Sequence, residues 1–170
     1  SKLSNYYWVI YVNGNEPSHH IPYLYAGTSQ PWKTQYWVRE VMNKMYKNHI
    51  RGLGGNDDCG QMSAWYLFTA MGFYPVCPGT DQYVLGAPYL PYLKLSMANG
   101  KTFEIKAPGA SDKKRYVKAV RLNGKPYTKT YITHDDLMNG GTLEFVMSST
   151  PNKKRGLAKA DKPYSLTDGE

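Results

Sequence analysis

The chain has 170 residues, 41% of them apolar, and a formal net charge of +8 from 21 Lys and Arg against 13 Asp and Glu. That length buries a real core in one medium domain or two small ones, and the apolar share excludes a disordered chain. No run of eighteen apolar residues occurs, so no membrane span is expected, and residues 1–12 lack the basic start and cleavage site of a signal peptide.

In chain order, residues 6–12 read as an apolar element with no preceding cap, as in the middle of a longer protein. The turn-rich stretch NGNEP follows, and Ser18 caps a short helix over residues 19–25 that Gly27 closes. Pro31 opens a second helix over residues 31–47, whose apolar stripe is Val38, Val41, Met42, Met45 and Tyr46. Gly52, Gly54 and Gly55 lead into the acidic loop NDDCG and a third helix over residues 60–71, stopped by Gly72 and Pro75. This third helix is apolar on more than one side, so three short helices cannot cover one another. More chain or another subunit is expected to pack on them.

Beyond Pro78-Gly79 the period changes. Strands are expected over residues 82–85, 92–96, 102–106, 116–122, 128–133 and 143–148, with tight turns at Asn99-Gly100, Asn123-Gly124 and Asn139-Gly140-Gly141. Helices followed by strands give an α+β chain: a helical segment over residues 1–78, a β-rich sub-domain over 79–150 built as an antiparallel sheet or sandwich, and a polar tail over 151–170.

Sixteen Tyr and four Trp supply flat apolar faces with polar edges, which suit sugar rings as well as cores. The basic clusters Lys113-Lys114-Arg115 and Lys153-Lys154-Arg155 flank turn residues and read as solvated loops, so nucleic-acid binding is not expected. Cys59 and Cys77 have no metal-type spacing; one disulfide and two thiols are both compatible with the sequence.

Two loops carry chemistry. In GLGGNDDCGQMSAW, the pair Asp57 and Asp58 precedes a helix N-terminus, where one carboxylate serves as a cap. Two exceed what one cap needs, so the other is free to act as a general base or metal ligand. In NGNEPSHHIPYLY, Asn15 and Glu16 offer oxygen ligands suited to a hard cation such as calcium. His19 and His20 diverge by about 100° on a helix and do not readily share one metal.

The segments NGNEPSHHIPYLY, QPWKTQ, GNDDCGQMSAWYLFTAMGFYPVCPG and YVLGAP, in that order and spacing, closely resemble glycoside hydrolase family 92. The resemblance is strong over residues 13–88 and continues weakly to the SSTPN segment at 148–152. It implies a bacterial, secreted or periplasmic, calcium-dependent exo-α-mannosidase that inverts the anomeric centre, with a preference for α-1,2 linkages of glycans. It also implies a fold in which this chain supplies the last helices of an (α/α)6-type barrel and the β-rich C-terminal portion. The remainder of the polypeptide would be its structural partner and a mannose-containing glycan its substrate.

An inverting glycosidase holds its two carboxyl groups roughly 6.5–9.5 Å apart, with a water between one of them and the sugar. By resemblance Asp58 is the general base, aided by Asp57. Asn56 stands where relatives carry another acidic residue; it can bond the water but cannot take its proton. The family's general acid, a Glu in a GNAWQ-type motif, is absent from this chain. Glu16, His19, His20, Asn56 and Gln61 are the expected substrate contacts, and Asn15 and Glu16 the expected Ca2+ ligands. The rival reading is a non-catalytic carbohydrate-binding module whose β-half presents Tyr to sugar. It predicts that the 170 residues alone bind mannosides, whereas the enzyme reading predicts little or no activity for them.

Overall fold

A computed structural model describes residues 11–166; of the apolar element expected over residues 6–12, residues 6–10 lie outside the described part. The chain is a mixed helix and sheet structure. Two 3-10 turns, Glu16–Ser18 and Ile21–Gly27, come first. The α-helix expected over residues 19–25 is replaced by the second of these. Pro17 and Pro22 remove two backbone donors in close succession, and the remaining bonds close over three residues, as in Tyr23 N to His20 O at 2.9 Å.

Helix α1 spans Trp32–Met45 and begins after Pro31. Its buried face includes Val38, Val41 and Met42, but also Thr34, Gln35 and Arg39. Each of these polar side chains has a hydrogen-bond partner, although the buried Arg39 Nε is itself left without one. The Gln35 Oε1 accepts from the Val117 backbone N–H at 2.9 Å, and an Arg39 Nη donates to the Pro88 carbonyl at 2.7 Å. Tyr46, expected on the helical stripe, is the extended residue that ends the helix. Helix α2, Gln61–Met71, lies between two left-handed glycines, Gly60 at φ +95° and Gly72 at φ +101°. The Gly72 N–H bonds the Phe68 and Thr69 carbonyls and closes the helix C-terminus.

The strands are β1 Phe73–Tyr74, β2 Gln82–Leu85, β3 Tyr92–Ser96, β4 Thr102–Lys106, β5 Tyr116–Leu122, β6 Lys125–Pro126, β7 Tyr131–Thr133 and β8 Gly141–Ser148. A short helix α3, His134–Met138, sits between β7 and β8. One sheet has the order β1-β2-β7 and the other β3-β4-β8-β5-β6. The expectation of a purely antiparallel sheet is corrected here: β8 inserts between β4 and β5 and runs parallel to β4, with Ile105 opposite Leu143. A parallel neighbour requires a long crossover, and the chain between β4 and β8 provides it. In β5 the buried residues are Val117 and Val120, an odd spacing for a strand; a bulge between Val117 and Ala119 restores the inward face.

The β1-β2 pair is the seam between the two halves. Phe73 faces Leu85 across the ladder and both belong to the sheet core with Phe103, Ile105, Leu143 and Phe145. Their neighbours Tyr74 and Val84 also face each other, but on the opposite side, in the helical core with Tyr23, Val38, Met42 and Trp65. Two-residue alternation thus feeds two cores from one hairpin. The tail is docked rather than loose: the Thr130 N–H donates to Asp161 O at 2.7 Å and the Tyr164 N–H to Gln82 Oε1 at 2.8 Å. No helix among the described residues is long and apolar enough to cross a membrane.

Candidate active site

The two chemical loops meet because their glycines let backbones touch. A Cβ on Gly14 would fall 2.7 Å from the Gly54 carbonyl oxygen and 2.9 Å from the Gly55 Cα. Only bare backbone fits there, and it seats residues 13–16 against residues 54–55.

The acidic loop then turns sharply. Asp58, Cys59 and Gly60 follow one another at φ +44°, +61° and +95°. A left-handed conformation costs a non-glycine residue about 1–2 kcal/mol, and two such residues in a row mark stored strain. The turn gives the adjacent acids different surroundings. Asp57 is bound to its own helix: its carboxylate accepts from the Ser63 N–H at 2.9 Å and from the Ser63 hydroxyl at 3.0 and 3.1 Å. Its backbone carbonyl accepts from the Gly60 and Met62 N–H groups. Asp57 therefore satisfies the donors that α2 leaves open at its start.

Asp58 is exposed and its carboxyl lies within hydrogen-bond reach of Glu16. The hydrogen bond to Glu16, then partial desolvation, then the charges of Glu16 and Asp57, hold its pKa above the ordinary carboxylate value. A like charge close by disfavours the ionised form of a carboxyl group. Glu16 is exposed as well, as are Asn15 and Asn56.

The other expected contacts divide. His20 is half-buried. His19 is buried; its Nε2 lies 2.7 Å from the Asn13 carbonyl and its Nδ1 3.2 Å from Gln61 Nε2. Gln61 also donates to the Tyr74 hydroxyl at 3.2 Å. Three residues that sequence reasoning did not single out complete the support. The Asn13 amide donates to the Tyr46 hydroxyl at 2.9 Å, the Tyr46 hydroxyl donates to the Met62 carbonyl at 3.1 Å, and the Trp65 indole N–H donates to the His19 carbonyl at 3.0 Å. Tyr46 stacks on Trp65 with centroids 5.7 Å apart and planes 3° from parallel. No local pattern signals a pair 33 residues apart such as Asn13 and Tyr46.

For calcium the fit is partial. Glu16, Asp58 and Asn15 offer oxygens of the kind the ion takes, but it takes six to eight of them. Among the described residues no three His, Cys, Asp or Glu side chains gather as a metal site. Cys59 and Cys77 are both exposed, unpaired thiols. A separate cavity of about 690 Å³ lies between the second 3-10 turn and the docked tail, lined by Leu24, Cys77, Gln82, Lys162 and Tyr164 among others; neither Asp58 nor Glu16 borders it.

The chain as a whole has relatives in sequence and fold. The profile of the glycosyl hydrolase family 92 catalytic domain matches residues 3–149. A family 92 α-mannosidase from Bacteroides thetaiotaomicron, solved with mannoimidazole, is 47% identical and superposes with a TM-score of 0.87 over 91% of this chain and 20% of its own. An inverting mannosidase of the same family and organism is 46% identical, with a TM-score of 0.87 over 92% of this chain and 21% of its own. An uncharacterized secreted glycosidase of Arthroderma benhamiae is 30% identical over 95% of this chain and 21% of its own. The chain thus spans about a fifth of the length of each relative. With most of its residues matched by the catalytic-domain profile and its fold superposed on solved members, the chain belongs to glycoside hydrolase family 92.

Proposed function

We propose that this chain is the C-terminal portion of an inverting exo-α-mannosidase that removes terminal α-mannosides, α-1,2-linked, from glycans, and that it supplies the general base. In this reading its helices are the last of an (α/α)6-type barrel, and the general acid comes from elsewhere in the polypeptide. The observation that carries it is the split between the two acids: Asp57 bonds Ser63 and caps α2, while the Asp58 carboxyl is left exposed beside Glu16. A base must be ionised to take a proton, and works best when its pKa lies near the working pH. Asp58, held above the ordinary carboxylate range by Glu16, moves in that direction.

Ionised Asp58 accepts a proton from the attacking water as that water adds to the anomeric carbon opposite the leaving group. The exposed Asn56 amide holds the same water without taking its proton, Asp57 adds negative charge behind it, and Gln61 and His20 border the sugar site. Calcium, when bound, would polarise sugar hydroxyls; Asn15 and Glu16 would contribute to its shell, with further oxygens from carbonyls, water or the rest of the polypeptide. The secreted label of one relative supports placing the protein outside the cytoplasm.

The test is hydrolysis of an α-1,2-mannobioside by the full-length enzyme, followed by NMR. The β-anomer of mannose appearing first, with activity lost on chelation and restored by calcium, is the expected result. An α-anomer first product refutes inversion, and a rate indifferent to chelation refutes the calcium requirement.

A further inference from the structure

We infer that His19 is a positioning residue, a buried neutral latch that fixes the Glu16 loop and the Asp58 loop in register; this rests on the reading of that pair as the working site. The Gln61 Nε2 is a donor only, so the His19 Nδ1, 3.2 Å away, must accept. The imidazole proton is therefore on Nε2, which donates to the Asn13 carbonyl at 2.7 Å. One ring so joins the residue three before Glu16 to the residue three after Asp58. The His19 backbone is tied as well, through its carbonyl to the Trp65 indole at 3.0 Å. At 2% exposure, with both ring nitrogens bonded, His19 has no group left for a sugar. Asn13, fully buried, runs a second tie beside the first: its amide reaches Tyr46, whose hydroxyl reaches the Met62 carbonyl within α2. The carboxyl pair is exposed, so solvent alone would not hold its geometry; the buried ties beneath it do.

A latch and a substrate contact differ in kinetics. Misplacing a reacting group by about 1 Å can cost about 100-fold in rate, while binding by other groups persists. In the full-length enzyme, His19→Ala is expected to lower kcat between about 10- and 100-fold with KM within about twofold. His19→Gln places an amide donor near the position of Nε2 and is expected to recover most of the loss. Gln61→Ala removes the other end of the latch, and its effect should fail to add to that of His19→Ala.

An unchanged kcat in folded His19→Ala, or a raised KM at unchanged kcat, overturns the latch. Should His19→Ala not fold, His19→Gln and Gln61→Ala carry the test: additive effects on kcat, or a change confined to KM, overturn it equally. Asp58→Asn, measured alongside, separates the two levels. If Asp58→Asn retains the wild-type rate, both readings fall; if it is inactive while the His19 variants keep their kcat, only the latch does.

Discussion

Asp57 and Asp58 are chemically identical neighbours that the backbone sends to different tasks. The sequence shows that one carboxylate more than a cap is present; it does not show which is which. That is decided by the left-handed run at residues 58–60 and by Ser63, six residues past Asp57. Asp57→Ala should destabilise the chain by about 1 kcal/mol through loss of the cap, read as a lower thermal midpoint, while Asp58→Asn leaves that midpoint unchanged. The contact with Glu16 also has a sign. Asp58 stays protonated to higher pH than an isolated aspartate, so its charge develops late on raising the pH. In metal-free protein, a carboxyl NMR titration should place Asp58 above the usual range. Glu16→Gln, which replaces a like charge by a donor, should bring it down. Asn13 and Tyr46 were not legible as site residues, because their roles are tertiary: each is an ordinary turn or helix-end residue until the fold brings them together.

At the scale of elements, local pattern was enough wherever one face is buried and the other wet. Strands β3 and β4, at residues 92–96 and 102–106, alternate in this way and stand where they are expected. It was not enough where long-range pairing decides. The parallel neighbour of β4 leaves no local trace, and β1, two residues long, is a strand only because β2 lies beside it. Helix α3, absent from the expected elements, does carry a local signal. Thr133 and Asp136 form a capping box, with the Thr133 hydroxyl accepting from the Asp136 N–H at 3.1 Å and the Asp136 carboxylate accepting from the Thr133 N–H at 2.9 Å. Thr133→Ala should cost about 1 kcal/mol, measured by denaturant unfolding, without altering sugar chemistry.

For the whole molecule, the halves are joined by a buried cation as well as by the β1-β2 seam. Arg39, 1% exposed, lies over the Tyr89 ring at 4.4 Å and bonds the Pro88 carbonyl. Arg155 bonds the Tyr127 and Lys129 carbonyls and pins the tail, and burial lowers its pKa to about 10. Arg155→Ala should cost about 1.5–3 kcal/mol and release the tail to proteolysis. Ile21, Leu24 and Leu67 remain 41%, 52% and 62% exposed on the helical half. The proposed function turns on one exposed carboxylate, Asp58, taking the proton of the attacking water. Its most direct test is kcat of Asp58→Asn in the full-length enzyme on a terminal α-mannoside. A fall of roughly 100- to 10,000-fold at unchanged thermal midpoint is predicted, and turnover within a few-fold of wild type would contradict the account.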